Sequence, residues 1–215
     1  LAARTRLDKE PVDARSYHLV LLAENNEGYQ NLTKLVSIAY IEGFYRRPRI
    51  DIELLRKYHK GIIALGACLA GPISRRILND DYEAAKMAAI ELEEVMGKGN
   101  FFLEIQDHGL SNQQKVNPMT MKLAEELQIP LVATNDVHYI RAEDAESHEV
   151  LLCIQTGKTM DDPDRMIYEG GQFFLKSGDE MERLFPYATE ALANTNRIAE
   201  RCNVEFEFHK LKLPR

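Results

Sequence analysis

Four short apolar runs, at residues 18–23, 61–66, 101–106 and 130–134, punctuate the first part of the chain. Each is nearly continuous in apolar residues, the pattern of a strand covered on both faces. Between them, apolar residues recur at helical spacing. Leu32, Leu35, Val36 and Ala39 form one stripe, Ala84, Met87, Ala88, Leu92 and Val95 a second, and Met119, Leu123 and Leu127 a third. Such stripes are read as packing faces, and Asp80 or Asp81 can cap the second helix. Strand and helix alternate as in βα units, which predicts an α/β fold with a mainly parallel sheet, either a barrel or a doubly wound sheet.

The rhythm changes after His138. The sequence predicts a helix over 141–156, then a loop over 157–171 built from turn formers, namely Asp161, Asp162, Pro163, Asp164 and a Gly170-Gly171 pair. A short strand around 173–176 and helices running through Cys202 follow. This divides the chain into a β/α portion, 1–140, and an α-rich extension, 141–215.

Composition narrows the function classes. With 45% hydrophobic residues in 215, the chain can bury a core. No run approaches the roughly 18 apolar residues a membrane span needs, and the first fifteen residues are charged rather than signal-like. The expectation is a cytoplasmic protein without a membrane partner. Cys68, Cys153 and Cys202 lie far apart and form no CxxC pair, which argues against structural disulfides. The formal charge of −7 supplies few cations to neutralise phosphates, so contact with DNA falls to a local site or to the rest of a larger chain. Three basic groups are candidates: Arg46, Arg47 and Arg49; Arg75 and Arg76; and Lys210, Lys212 and Arg215. Each reads either as a phosphate contact or as a solvated face.

The strongest local chemistry lies in Thr134-Asn135-Asp136-Val137-His138-Tyr139. In an extended segment residues i and i+2 share a face, so Asp136 and His138 can reach one ion at the C-terminal end of an apolar strand, where α/β sites gather. Carboxylate with imidazole suits Zn, Mn or Fe; equally, the two can satisfy each other by hydrogen bonding. His18 opens the first apolar run and Cys68 follows the second, and each alone also reads as a packing residue. Glu104 and His108 end the third run as a strand-end carboxylate and a surface histidine. His59, His148 and His209 lack a strand-end context and are read as structural or exposed.

The stretches YHLVLLAENNEGYQNL (17–32), GACLAG (66–71), FLEIQDHG (102–109) and TNDVHY (134–139) resemble the PHP domain of bacterial replicative DNA polymerases. The resemblance continues through HEVLLCIQTG (148–157) and FFLK (173–176). It implies a distorted, TIM-like β/α barrel holding up to three divalent ions, Zn, Mn or Fe, at the C-terminal ends of its strands, with phosphoester hydrolysis as the chemistry. It assigns metal ligation to His18, Cys68, Asp136 and His138, with Asp136 and His138 as the catalytic pair. Glu104 would support the ligands from behind, and Arg49, in the family-like segment YRRPRI (45–50), would contact phosphate. The family's opening His-x-His strand, its Asp-His pair and a following Glu have no counterpart here. The resemblance therefore implies a site short of ligands and a barrel incomplete on its N-terminal side.

Three functions follow from the resemblance. The first is the PHP region of a replicative polymerase, serving DNA replication, with metal-dependent 3′–5′ exonuclease or phosphoesterase activity when its ligands are complete. The second is a scaffold that supports the polymerase and its proofreading exonuclease without hydrolysis. A free-standing monoester phosphatase, similar to the histidinol-phosphate type, is the third; residues 141–215, which resemble the lead into a polymerase palm and thumb, speak against it. Implied partners are DNA, a proofreading exonuclease and a sliding clamp. An opened barrel would also leave strand edges able to pair with a second copy.

Overall fold

The four apolar runs form four strands in the computed structural model, which describes residues 1–210; Lys212 and Arg215 of the third basic group lie outside the described residues. They are β1 (Val20–Ala23), β2 (Ile62–Leu65), β3 (Phe101–Ile105) and β4 (Leu131–Ala133). They lie side by side in chain order as one open, mixed sheet. β2, β3 and β4 are parallel, as the alternation predicts. β1 is not: it runs antiparallel to β2, with Val20 opposite Leu65 and Ala23 opposite Ile62.

The reversal follows from how tightly the chain closes between these strands. Two helices, α1 (Asn26–Ile41) and α2 (Ile52–Tyr58), return it to the end at which β1 finishes, where the Glu24 amide donates to the Gly61 carbonyl at 2.8 Å. Asn25 caps α1 by accepting from the Gly28 amide at 3.0 Å. A Cβ on Gly28 would stand 1.7 Å from the Gly61 carbonyl oxygen, so only glycine lets the helix start meet the strand start.

Alternation along the strands sorts the core. Ile62, Ala64, Phe101 and Leu103 pack with residues of α3 (Pro72–Leu78), α4 (Tyr82–Met96) and α5 (Ser111–Leu127). Ile63, Leu65, Phe102 and Val132 pack against Ile198 of α8 (Thr189–Arg201). Helices thus cover both faces, as near-continuous apolar strands require. β1 departs from that expectation: as an edge strand it is half-buried throughout. Asp81 rather than Asp80 caps α4, accepting from the Ala84 amide at 3.0 Å. Val36, Met87 and Met119, placed in packing stripes by their spacing, are exposed, because the buried arc of each helix is narrower than its apolar stripe.

Beyond His138 the chain makes a short 3-10 turn, Ala142–Asp144, and then α6 (Ala145–Thr156), α7 (Gly178–Leu184) and α8. The strand expected around 173–176 reduces to one parallel bridge between Phe174 and Tyr139. The extension packs back on the sheet. Asn194 Nδ2 donates to the Leu131 carbonyl at 2.7 Å, and the Asn203 amide to the Glu24 carbonyl at 2.8 Å. Among the described residues no helix is long and apolar enough to cross a membrane, and all three cysteines are free thiols.

Candidate metal centre

Because β1 runs against its neighbours, the residues just before it lie beside the C-terminal end of β2. His18 is there, its amide donating to the Ala70 carbonyl at 3.0 Å. The loop after β2 is wound tightly: Ala67 has φ +64°, the Gly71 amide closes on the Cys68 carbonyl at 2.8 Å, and a Cβ on Gly71 would stand 2.1 Å from the Gly66 carbonyl oxygen. This turn carries Cys68 to His18, with Sγ and Nδ1 separated by 3.6 Å. Burial pushes the Cys68 thiol up. Burial, then the positive charges of Arg75 and Arg47, hold the His18 imidazole below its usual value.

Glu104, on β3, is 7% exposed and locks this loop from beneath. Its Oε2 accepts from the Ala67 amide at 2.6 Å, and its Oε1 accepts from Gln106 Nε2 at 3.1 Å and from the Thr134 hydroxyl. Burial pushes its carboxyl up, with the three hydrogen bonds opposing. One buried carboxylate therefore ties together the segments after β2, β3 and β4.

After β4 the backbone turns sharply at Asp136, where φ is +41°, and His138 Nε2 comes 3.5 Å from Asp136 Oδ1. Asn135 anchors this turn by donating to the Phe174 carbonyl at 2.6 Å, while its own buried Oδ1 has no partner. His108 is not a surface histidine: it is 2% exposed, stacked on Phe173 at 3.9 Å, and within hydrogen-bond distance of the Asn135 carbonyl (2.8 Å) and Gln113 Nε2 (2.7 Å). The His138 ring sits 4.3 Å from Tyr168 and 5.5 Å from His148. His148, which has no strand-end context in sequence, reaches the site because α6 packs over it; its Nδ1 is buried without a partner. No local pattern signals the roles of Asn135, His108 or His148, which depend on the fold bringing residues 168–174 back to Tyr139.

These elements surround a cleft of about 750 Å³ whose walls include His18, Cys68, Glu104, Asp136 and Arg47. Arg49 is not among them. It is 2% exposed, and its guanidinium donates to the carbonyls of Gly43, Asp13, Arg6 and Asp8 at 2.8–3.1 Å. A cation committed to four carbonyls inside the fold is a brace for the N-terminal segment, which corrects the phosphate contact expected of it.

The donor types around the cleft, imidazole, thiol and carboxylate, suit Zn, Mn or Fe. The geometry supplies them as two pairs, His18 with Cys68 and Asp136 with His138. Among the described residues no three His, Cys, Asp or Glu side chains are placed to hold one ion together. The residues fit a metal by chemistry and fall short of a closed set by number.

Residues 3–108 match the PHP domain family. The chain is 45% identical over 95% of its length to the DNA polymerase III subunit alpha of Treponema pallidum (strain Nichols), and 44% identical over 95% to that of Thermus aquaticus. It is 47% identical over 87% to that of Borreliella burgdorferi. It spans only 16–18% of the length of these relatives. Residues 3–108 are thus similar to the PHP domain family, within a chain similar almost throughout to one region of bacterial DNA polymerase III alpha subunits.

Proposed function

We propose that the chain is the PHP region of a bacterial replicative DNA polymerase and serves DNA replication. One observation carries this reading: the similarity to polymerase alpha subunits runs over 95% of the chain, through the helical extension as well as the sheet. A free-standing phosphatase has no reason to share residues 141–215 with them. In this reading the open sheet is an arc of a distorted β/α barrel within 1–140, and 141–215 leads toward the palm. The partners are then DNA, a proofreading exonuclease and a sliding clamp, in the cytoplasm.

The cleft is read as a phosphoesterase site for the 3′ end of a DNA strand. His18, Cys68, Asp136 and His138 would hold the Zn, Mn or Fe, which when bound supplies a Lewis acid and an activated water. The chain's own residues prepare the place. Glu104 fixes the Cys68 turn and the Thr134 strand end relative to each other. His18 presents its imidazole beside the Cys68 thiol, and Asp136 stands in the cleft wall beside His138. Arg47, on the same wall, offers positive charge to a phosphoryl oxygen.

A non-catalytic scaffold is the second reading, favoured by the arrangement of donors as pairs rather than as a set of three. Elemental analysis for bound metal, together with hydrolysis of single-stranded DNA from its 3′ end in Mn or Zn, separates the two. Activity that disappears in Asp136→Ala and His138→Ala supports the phosphoesterase. Absence of both metal and hydrolysis leaves the scaffold.

A further inference from the structure

Two basic groups that lie apart in sequence meet at the mouth of the cleft. Arg46 and Arg47 from the loop before α2 and Arg75 from α3 join Arg15 around a second cavity of about 590 Å³, with Ser16 and Asn79 as neutral donors. No Asp or Glu lines it. It shares Ser16, His18 and Arg47 with the cleft, so the two spaces adjoin. Tyr17, which lines the cleft, carries the guanidiniums of Arg75 and Arg76 over its ring at 5.6 and 5.0 Å.

What distinguishes these arginines is that they line one cavity and also lack counterions. Arg4, Arg6, Arg165, Arg197 and Arg201 each pair with a carboxylate. Among the described residues, Arg15, Arg46, Arg47 and Arg75 make no ion pair. A chain of net charge −7 has ample carboxylates to neutralise them. Four uncompensated guanidiniums converging on one concave surface repel one another unless an anion sits between them, and guanidinium matches phosphate geometry well.

We propose that this cavity is a backbone-binding subsite for single-stranded nucleic acid, in which Arg46, Arg47, Arg75 and Arg15 hold phosphodiesters upstream of the terminus that enters the cleft. Its alignment with the cleft rests on the phosphoesterase reading; strand binding itself does not. The cavity adjoins the cleft at His18, so a strand held by the arginines is aimed toward Cys68 and Asp136. The contacts are to phosphates and carry no base preference.

Fluorescence anisotropy of a labelled short oligothymidylate, in chelator and at low salt, tests this without turnover. The triple variant Arg46→Gln, Arg47→Gln, Arg75→Gln should bind at least about tenfold more weakly, and its slope of log affinity against log salt should fall by about 2, at roughly 0.7 per lost contact to a single strand. A charge-matched control, Arg56→Gln, Lys60→Gln, Lys98→Gln, removes cations near the opposite end of the sheet and should bind as the wild type does. Equal weakening in the control would reduce the effect to net charge and overturn the subsite, as would an undiminished salt slope in the triple variant. Affinity for inorganic pyrophosphate equal to that for the oligonucleotide would assign the cavity to a small anion and overturn the strand. If Asp136→Asn abolishes no hydrolysis while the triple variant still loses the strand, the phosphoesterase reading falls and the subsite stands.

Discussion

His18 Nδ1 lies 3.6 Å from Cys68 Sγ, although fifty residues separate them in sequence. The contact exists because β1 runs antiparallel to β2; a parallel β1 would carry His18 to the far end of the sheet. If the pair ligates a metal, Co(II) added to the chain should give a thiolate charge-transfer band that Cys68→Ser abolishes. Even partners that only orient a ligand change metal affinity by about 10–100-fold. His18→Ala should therefore weaken binding at least about tenfold, and the double variant little further. A Co(II) spectrum unchanged in Cys68→Ser would remove the thiol from the site.

Glu104 holds three donors, of which only Gln106 Nε2 has a second acceptor, the Thr134 hydroxyl at 3.0 Å, so Glu104→Ala should lower stability by about 3 kcal/mol in urea unfolding. Glu104→Gln should cost far less, because the buried Oε1 of Gln106 lacks a partner and can turn to accept from the new amide. Burial raises the folded-state value of Glu104 above the unfolded one. Between those two values the folded protein binds the proton more readily, so this group's contribution to stability rises as pH falls through the window and is least favourable above it. The stability difference between wild type and Glu104→Gln should shift in the wild type's favour as pH is lowered from 7. A difference independent of pH would mean that Glu104 is not desolvated in solution.

Arg49→Lys tests the brace. A lysine cannot span the four carbonyls that the guanidinium reaches, so the substitution should cost about 2–4 kcal/mol and raise amide exchange across residues 6–13, while oligonucleotide affinity stays unchanged. Loss of strand binding with normal stability would restore the phosphate contact.

The strands were legible because each is a short apolar run closed by Gly, Pro or a charged residue, and burial on both faces leaves little freedom in such runs. Strand direction was not, since the apolar pattern is the same in either sense; the close approach of Gly28 to Gly61 is a tertiary fact. Asp136, His138, His18 and Cys68 could be named from strand-end chemistry and family resemblance. Their division into two pairs, and the arrival of His148 and His108, depend on where α6 and residues 168–174 fold back. Arg49 was misread because a basic run looks alike whether its members face solvent or interior carbonyls; only burial separates Arg49 from Arg46 and Arg47.

Asp51 carries the opposite pH signature to Glu104. It caps α2 by accepting from the Leu54 amide at 3.0 Å, and it takes the Arg6 amide at 2.9 Å and Arg6 Nη1 at 3.1 Å. Burial alone would raise its carboxyl, but the two amides and the Arg6 guanidinium outweigh that and hold it below the usual carboxylate range. The unfolded chain therefore binds the proton first as pH falls. The stabilisation is complete above the unfolded value of about 3.9 and drains away as pH drops through the folded one. Asp51→Asn keeps a competent cap and loses the charge, so it should cost about 1 kcal/mol at pH 7 and flatten the acid limb of the stability profile. Asp51→Ala removes the cap as well and should cost about 2 kcal/mol. Urea midpoints from pH 7 down to pH 3 decide it: an acid limb as steep in Asp51→Asn as in the wild type would place the acid sensitivity at other carboxylates, such as Asp13 beside Arg4.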